Sequence, residues 1–425
     1  MVSVYYHLAA LGVRVGRRLS MLLAVACGVS VANVYYAQPL LGRIGAGLHV
    51  GPAQLGLVTT VTQAGYLLGL ILIVPLGDLA GRRRLIVTQG LVAAAGLVTA
   101  GLAPDTAVFF AASAAVGLVC VVVQVIVAYA AAMSAPGRRG AVVGTVTSGV
   151  VIGILLARTA SGLIADLLGW RAVYFISAGL MLSMALALGL LLPPDNAPKQ
   201  PASYPALIGS AVTLTARDRT FRVRSLIALF MFGGFGAVWG SIALPLAAAP
   251  WHLSAGQIGL FGIVGVAGAV GASRAGRLAD QGRAQWVTGA CLALLVASWA
   301  ATRAAPYSLP LLAVGILVLD FAGQALHVTS QQLIVAADPA ASSRIIGSYM
   351  TFYSVGTGGG AIAATSLYSL AGWGAVSALG AGLSAMALLV WAADRLRPLS
   401  PGGTTPDAQD TPSRSKGVIR DHALP

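Results

Sequence analysis

Four polar side chains share one face of an apolar segment in the second half of the chain. They are Asp320, Gln324, His327 and Gln331, whose spacing of four, three and four residues places them on one side of an α-helix. An ionisable residue inside an apolar helix is costly, so it is a functional hypothesis by default, and Asp and His are common in proton relays. We predict Asp320 as a proton carrier, His327 as a relay or substrate contact, and the two glutamines as cavity-lining residues. The alternative is a structural role, in which Asp320 holds a neighbouring helix by hydrogen bonds.

Arg158 is a third ionisable residue inside an apolar stretch. At a rise of about 1.5 Å per residue it lies roughly 27 Å along a helix that starts near residue 140, close to the far end of that helix. One interpretation is an arginine that extends its charge to the membrane surface. The other is a substrate-cavity cation that attracts an anionic group, or an outer-gate partner for a carboxylate. The sequence leaves both open.

Five further polar residues in apolar stretches are weaker candidates for the substrate cavity. Asn33 and Tyr36 have the i, i+3 spacing of one helix face, as do Gln63 and Tyr66, and Gln124 stands alone. Each could hydrogen-bond a substrate. Each could equally join two helices, a contact worth about 0.6–2 kcal/mol in a membrane.

The composition indicates which elements position these residues. Of 425 residues, 57% are hydrophobic and 9% are charged, and the charged set contains 24 Arg, 2 Lys, 12 Asp and no Glu. A soluble globular protein carries about 25% charged residues, whereas a membrane helix needs roughly 20 mostly apolar residues. These values exclude a soluble enzyme, a nucleic-acid-binding module and a disulfide-stapled secreted domain. They predict an all-α membrane protein with twelve transmembrane helices.

Clusters of Arg, Asp, Pro and Gly delimit the twelve predicted spans. These are 19–41, 54–77, 85–103, 107–131, 140–164, 171–192, 225–247, 255–274, 285–303, 308–336, 345–369 and 373–394. Of the 26 basic residues, 22 fall on the side of the N-terminus. Because cytoplasmic loops carry the excess of Lys and Arg, we predict a multi-pass plasma-membrane protein with both termini in the cytoplasm.

The chain contains an internal repeat. An offset of 203 residues aligns Gly169 and Trp170 with Gly372 and Trp373. Parallel repeats of this kind place a substrate site near the midplane between two bundles. The predicted organisation begins with a cytoplasmic N-terminus at residues 1–18. Two pseudo-symmetric six-helix bundles follow at 19–192 and 225–394, joined by a cytoplasmic linker at 193–224. The tail at 395–425 is predicted to be disordered and cytoplasmic.

One loop carries a motif that resembles a known family. In the run from Pro75 to Arg84, four residues match the loop signature of the major facilitator superfamily, namely Asp78, Gly81, Arg82 and Arg83. The resemblance covers about residues 19–394. The glycines of the fifth span are similar to the family's antiporter signature, and the segments 32–39 and 62–66 look like those of bacterial efflux members.

The resemblance implies a cytoplasmic gate at this loop. The carboxylate of Asp78, supported by Gly81, Arg82 and Arg83, would accept hydrogen bonds from a helix N-terminus across the bundle interface. Asp280 and Arg283 would repeat this arrangement in the second half.

The resemblance also implies a secondary active transporter that works by alternating access. We predict proton-coupled export of a small organic compound, a drug or a metabolite. Uptake by proton symport or uniport is the alternative, and a non-transporting membrane sensor is a second alternative. We expect the protein to have no enzyme activity, no catalytic residues, no metal and no cofactor. The proton gradient would be its energy source. The expected partners are a small-molecule substrate, protons and the lipid bilayer, without nucleic acid, for a monomeric protein.

Overall fold

A computed structural model of the protein describes residues 16–51, 54–79, 81–134, 139–193, 218–265, 278–336 and 342–396. All regular elements in these ranges are helical, which confirms the predicted all-α fold. Nine helices of the described ranges are long and apolar enough to cross a membrane. One of them, Ile345–Leu396, changes direction at Gly372, and the shorter apolar helices Gly56–Leu72 and Ala255–Val264 occupy two further predicted spans. The described residues therefore contain a helical segment for each of the twelve predicted spans.

We number these segments α1–α12 in chain order. Their bounds are Arg17–Tyr35 (α1), Gly56–Leu72 (α2), Arg82–Leu102 (α3), Thr106–Ala132 (α4), Arg139–Leu168 (α5), Trp170–Leu191 (α6), Arg219–Trp239 (α7), Ala255–Val264 (α8), Ala284–Thr302 (α9), Leu309–Ala336 (α10), 342–371 (α11) and 373–396 (α12). Short helices Leu41–Leu48, Leu76–Leu79 and Ala243–Ala247 connect some of them.

Side-chain caps set where three helices begin. Asp105 accepts a hydrogen bond from the Val108 N–H before α4, and Asp218 accepts one from the Phe221 N–H before α7. Such caps satisfy backbone donors that the first turn of a helix leaves free. The cap at Asp218 starts α7 at Arg219, whereas the sequence pattern placed the start of this span at 225. Ser254 and its third neighbour Gln257 form a reciprocal capping box at α8.

The two glycine–tryptophan pairs of the repeat occupy equivalent turns. Gly169 separates α5 from α6 with φ 85°, and Gly372 separates α11 from α12 with φ 69°. Glycine adopts positive φ without the steric penalty that a Cβ brings. Trp170 and Trp373 follow directly and are buried in their own halves. The sequence repeat therefore corresponds to the same chain reversal in each half.

Each half has its own apolar core. One continuous cluster of buried side chains is built almost entirely from α1–α6, and a second is built from α7–α12 and their connections. Within the first half, Gly28 of α1 lies against Gly149 and Gly153 of α5. In the second half Gly233 of α7 lies against Gly360 of α11, the equivalent helix pair. These glycines let the helix backbones approach closely.

The halves meet along two helix pairs, α2 with α11 and α5 with α8. The Thr60 hydroxyl donates to the Gly358 carbonyl at 2.8 Å in the first pair, and the Thr159 hydroxyl donates to the Gly259 carbonyl at 3.0 Å in the second. We call the end of the molecule where α5 ends and α8 begins the Asp166 face. The opposite end, where α1 and α7 begin, is the Arg17 face.

Candidate functional site

Arg158 lies at the junction of the two halves. Its side chain is buried, with 5% of the residue exposed, and its Nε donates to Gln38 Oε1 at 2.7 Å. The guanidinium carbon lies 3.7 Å from the centre of the Trp239 ring and 5.2 Å from that of Tyr35. Since Tyr35 and Gln38 belong to the first half and Trp239 to the second, one arginine contacts both halves. Its side chain is enclosed by protein at the junction of the halves, which favours the cavity or outer-gate interpretation.

Asp320 approaches the same cluster from α10. The residue is buried, with 5% exposed, and a Cβ at Gly265 of α8 would lie only 2.8 Å from its Oδ2. The missing side chain of Gly265 therefore makes room for the carboxylate. Asp320 interacts electrostatically with Arg158, although the two do not form a direct ion pair. The Trp239 indole N–H faces the carboxylate without completing a hydrogen bond.

The remaining residues of the α10 stripe lie further from this cluster. His327 Nδ1 lies 3.1 Å from the Tyr349 hydroxyl, and its ring stacks on Tyr349 with 5.5 Å between the ring centres. The Nε2 atoms of His327 and Gln331 are 3.3 Å apart. Gln324 is half-buried, between Asp320 and His327 along the helix. The stripe therefore has two parts. Asp320 lies beside Arg158 and Trp239 at the junction of the halves, and His327 is held by aromatic packing inside the second half.

A tyrosine contact joins the halves beside Arg158. The hydroxyls of Tyr35 on α1 and Tyr353 on α11 are hydrogen-bonded to each other. Tyr66 of α2 lies next to this pair and accepts a hydrogen bond of 3.4 Å from the Gln124 amide. Gln63 faces Gly358 across the α2–α11 pair, and it is 2% exposed with both amide atoms unpartnered in the described structure. Gln63, Tyr66 and Gln124 are thus at or next to the junction of the halves.

Asn33 and Tyr36 lie inside the first half instead. The Asn33 amide donates to the carbonyls of Val29 and Ser30, and its Oδ1 accepts a bond of 2.5 Å from the Ser177 hydroxyl on α6. Asn33 also lines a small cavity of mixed polar and apolar lining, with room for about one water molecule. Tyr36 is buried beside Ser177. Their geometry matches the helix-joining alternative.

The predicted gate residues are described only in part. Gly81 is the residue before α3, and the Arg83 Nη2 donates to the Gly189 carbonyl near the end of α6, at 2.5 Å. That bond stays within one half. Arg82 is half-buried and Arg283 is exposed. The side chains of Asp78 and Asp280 lie outside the described residues, so the gate remains a prediction.

Asp166 was not predicted and makes a further contact between the halves. Its Oδ2 accepts hydrogen bonds from the Ser254 hydroxyl at 2.6 Å and from the Gly256 N–H at 2.8 Å, at the start of α8. Its Oδ1 pairs with Arg43 at 2.6 Å. A carboxylate at a helix N-terminus is stabilised by the free N–H groups there. The sequence signal for this contact was an acid, Asp166, just after the predicted span 140–164. It was combined with a helix-capping residue, Ser254, just before the predicted span 255–274.

Tyr35 and Gln38 were also not singled out, although both fall in the segment 32–39 that looks like efflux members. Their partner Arg158 is distant in sequence, so helix spacing alone could not pair them. In the described ranges no group of three or more His, Cys, Asp or Glu side chains could hold a metal ion. The cluster around Arg158 consists of buried charges and hydrogen-bonding groups at the junction of the halves.

Comparisons with known proteins agree with this architecture. Residues 19–240 and 224–423 match the sequence model of the Major Facilitator Superfamily. The chain is 42% identical over 373 residues to the putative uncharacterized transporter YgaY of Escherichia coli (strain K12), covering 88% of this chain and 94% of that one. It is 29% identical over 381 residues to the probable transporter SCO4007 of Streptomyces coelicolor, covering 89% and 87% of the two chains.

Solved structures share the fold at low sequence identity. A bacterial homologue of the human lysosomal transporter Spinster, in an inward-facing and unoccupied conformation, superposes with a TM-score of 0.67 at 16% identity, covering 88% of this chain and 93% of that one. The human organic anion transporter MFSD10 gives a TM-score of 0.69 at 18% identity, covering 88% and 99%. The family match and the named relatives together show that the chain belongs to the Major Facilitator Superfamily and is a multi-pass membrane transporter.

Proposed function

We propose that the protein exports a small organic compound in exchange for protons, by alternating access, with Asp320 as the proton carrier. The observation that carries the proposal is the position of Asp320. It is a buried carboxylate that the Trp239 indole N–H faces without completing a hydrogen bond, next to the buried cation of Arg158 from the other half. A carboxylate that is costly to bury, and is not used to hold a neighbouring helix, is suited to bind a proton or a substrate.

The charge of Asp320 couples proton binding to the movement of the halves. When Asp320 is ionised, its attraction to Arg158 in a low-dielectric environment favours closure at the Asp166 face. A proton on Asp320, or a substrate group bound to it, removes that attraction. The empty, unprotonated carrier is then held in one state, whereas the protonated and the loaded carrier can both change state. This is the condition for an exchange of protons against substrate.

The predicted orientation gives the direction of the steps. The excess of basic residues favours a cytoplasmic Arg17 face, and the Asp166 face would then be external. A substrate would enter from the cytoplasm and displace the proton of Asp320. After the halves rearrange, a proton from outside would displace the substrate. His327 and Gln331 lie along α10 towards the cytoplasm, and we assign them a part in releasing that proton.

Uptake by proton symport is a second candidate because of the same pair of charges. If Asp320 is protonated, Arg158 leaves one net positive charge in the site. An anion would then bind together with the proton, and both would move inwards down the proton gradient. The sign of the proton movement on substrate addition separates the two candidates.

The test measures proton movement in inverted membrane vesicles. Vesicles are energised in the presence of a pH-sensitive dye, and a broad panel of small compounds is added. We expect at least one compound to release accumulated protons, and Asp320→Asn to reduce that release at least tenfold. Asp394→Asn is the matched control, since Asp394 pairs with Arg219 at the Arg17 face, far from the cluster. Equal release by Asp320→Asn would refute the role of Asp320, and proton entry coupled to compound accumulation would favour symport.

A further inference from the structure

We infer that the substrate is a small zwitterion, whose carboxylate binds Arg158 and whose cationic amine binds Asp320. The inference rests on the proposed function, because it assigns the substrate of the same site. It is carried by two buried opposite charges that lie close together, each with polar atoms that the described protein leaves without partners.

The first of these groups is the outer edge of the Arg158 guanidinium. Nε is used by Gln38, and the ring of Trp239 covers the guanidinium at 3.7 Å. Nη1 and Nη2 donate to no acceptor in the described structure, and they are not among its fully enclosed unpartnered atoms. They therefore keep a small accessible area although the residue is buried. The planar edge of an arginine matches the two oxygens of a carboxylate.

The second group is the carboxylate of Asp320. Its oxygens accept no hydrogen bond in the described structure, and they too are not among the fully enclosed unpartnered atoms. Gly265 of α8 contributes no side chain there, and the indole N–H of Trp239 stops short of a hydrogen bond. A positively charged amine would supply the missing donors.

A ligand with both charges suits this pair better than a ligand with one. Arg158 and Asp320 interact without forming a direct ion pair. A ligand with only a cation, bound to Asp320, would leave Arg158 buried without a partner. A ligand with only an anion, bound to Arg158, would leave Asp320 buried without a partner. Leaving one member of a buried charge pair unpartnered is strongly unfavourable. A zwitterion gives each protein charge its own counter-charge and leaves the site neutral.

The walls of the site add a preference for an apolar or aromatic body. Tyr35, Trp239 and Tyr353 surround the guanidinium, and Phe232 packs on Tyr353 with ring centres 4.2 Å apart. Aromatic rings bind one another in edge or offset geometries, worth about 0.5–1.5 kcal/mol beyond the area they bury. Phenylalanine therefore has the three features that the site offers to bind.

Binding of such a zwitterion releases a proton from Asp320 wherever that carboxylate is protonated. The amine and the proton compete for the same oxygens, so each weakens the binding of the other by the same factor. The charged and titratable groups near Asp320 are Arg158 from α5, with Tyr35 and Tyr353 around that arginine, and His327 two turns along α10. A net anion would do the opposite, since it would bind best when Asp320 is protonated.

The experiment compares three ligands of one shape on the purified full chain in lipid nanodiscs. They are phenylalanine, 3-phenylpropanoate, which lacks the amine, and 2-phenylethylamine, which lacks the carboxylate. Calorimetry in buffers of different ionisation enthalpy gives both affinity and protons released. We expect phenylalanine to bind at least tenfold more tightly than either analogue, with proton release.

Two variants assign the two ends of the ligand. Arg158→Gln should weaken phenylalanine at least tenfold and bind 2-phenylethylamine more tightly than the unmodified protein does, because it removes the buried cation that the amine leaves without a partner. Asp320→Asn should weaken phenylalanine at least tenfold, abolish proton release and leave 3-phenylpropanoate bound. The control Asp394→Asn should bind all three as the unmodified protein does. The ligand comparison on the unmodified chain stands even if a variant fails to fold.

Three results would overturn the inference. The first is that 3-phenylpropanoate binds more tightly than phenylalanine and takes up a proton. The second is that 2-phenylethylamine binds as tightly as phenylalanine. The third is that phenylalanine does not bind to a chain that retains a cooperative melting transition. Proton exchange in the vesicle test with other compounds, without phenylalanine binding, would refute the zwitterion and leave the proposed function standing. Phenylalanine binding with proton release, but without proton movement in the vesicles for any compound, would refute the proposed function and leave the zwitterion site standing.

Discussion

At the scale of single residues, the site depends on charges that membrane burial makes costly. The sequence identified Asp320, His327 and Arg158, because an ionisable residue in an apolar span is conspicuous. The sequence could not show that Arg158 and Asp320 belong to one cluster of side chains. A rise of about 1.5 Å per residue along their two predicted spans puts them roughly 10 Å apart in depth. The long arginine side chain and Trp239 between the two helices close that gap, and both depend on tertiary packing.

A first prediction concerns Asp166 and the closure of its face. Asp166→Asn removes a charge that accepts hydrogen bonds from Ser254, Gly256 and Arg43. A carboxylate at a helix N-terminus is worth about 0.3–2 kcal/mol, and we expect opening at this face to rise by roughly 2- to 30-fold. The measurement is the labelling rate of a cysteine at Thr365 by a membrane-impermeant maleimide added from outside.

The matched control for this variant is Asp105→Asn. Asp105 also caps a helix with its carboxylate, but its bond to the Val108 N–H stays within the first half. It should leave the labelling rate at Thr365 unchanged. An equal rise in both variants would mean that Asp166 only stabilises local structure.

At the scale of helices, the pair α5–α8 holds the site together. Gly256, Gly259, Gly262 and Gly265 recur every third residue on α8, and this period was visible in the sequence. The structure places Gly259 against the Arg158 carbonyl and Gly265 against Asp320. The glycine period could predict close packing, but not the partner helix or the presence of the buried charges at the contact.

A second prediction follows for Gly259. A leucine there would meet the backbone of α5 at Arg158, so α5 and α8 must separate. We expect Gly259→Leu to reduce proton-coupled transport at least tenfold while the protein still inserts into the membrane. Gly359→Leu is the control, because Gly359 has open space around its Cα. Transport by Gly259→Leu equal to that control would show that tight α5–α8 packing is not needed.

At the scale of the whole molecule, close contacts between the halves among the described residues lie between the Asp166 face and the level of Arg158. They include Gly56 with Ala361, Thr60 with Gly358, and Asp166 with the start of α8. Composition and repeat were sufficient to predict twelve helices in two similar halves. Which face is closed could not be predicted, because the same sequence must adopt both states during transport.

A third prediction tests whether this closed face must open. Thr60→Cys and Gly358→Cys place two thiols across the α2–α11 pair, where a Cβ at Gly358 would lie 3.7 Å from the Thr60 Cα. Oxidation should stop transport, and reduction should restore it. The control pair, Val87→Cys with Gly189→Cys, joins α3 to α6 inside the first half at ordinary contact distance and should leave transport intact after oxidation. Full transport through an oxidised Thr60–Gly358 pair would contradict alternating access at this interface.

The most direct test of the central claim separates exchange from proton coupling in proteoliposomes. A labelled compound that releases protons in the vesicle test is offered under two conditions, equal pH with unlabelled compound inside, and an imposed proton gradient. A carrier that has lost only its proton site should still exchange compound. With the compound at a concentration that saturates the weakened site, we predict that Asp320→Asn keeps equal-pH exchange within about threefold of the unmodified protein and loses gradient-driven accumulation. Gradient-driven accumulation by Asp320→Asn at the unmodified level would contradict the account.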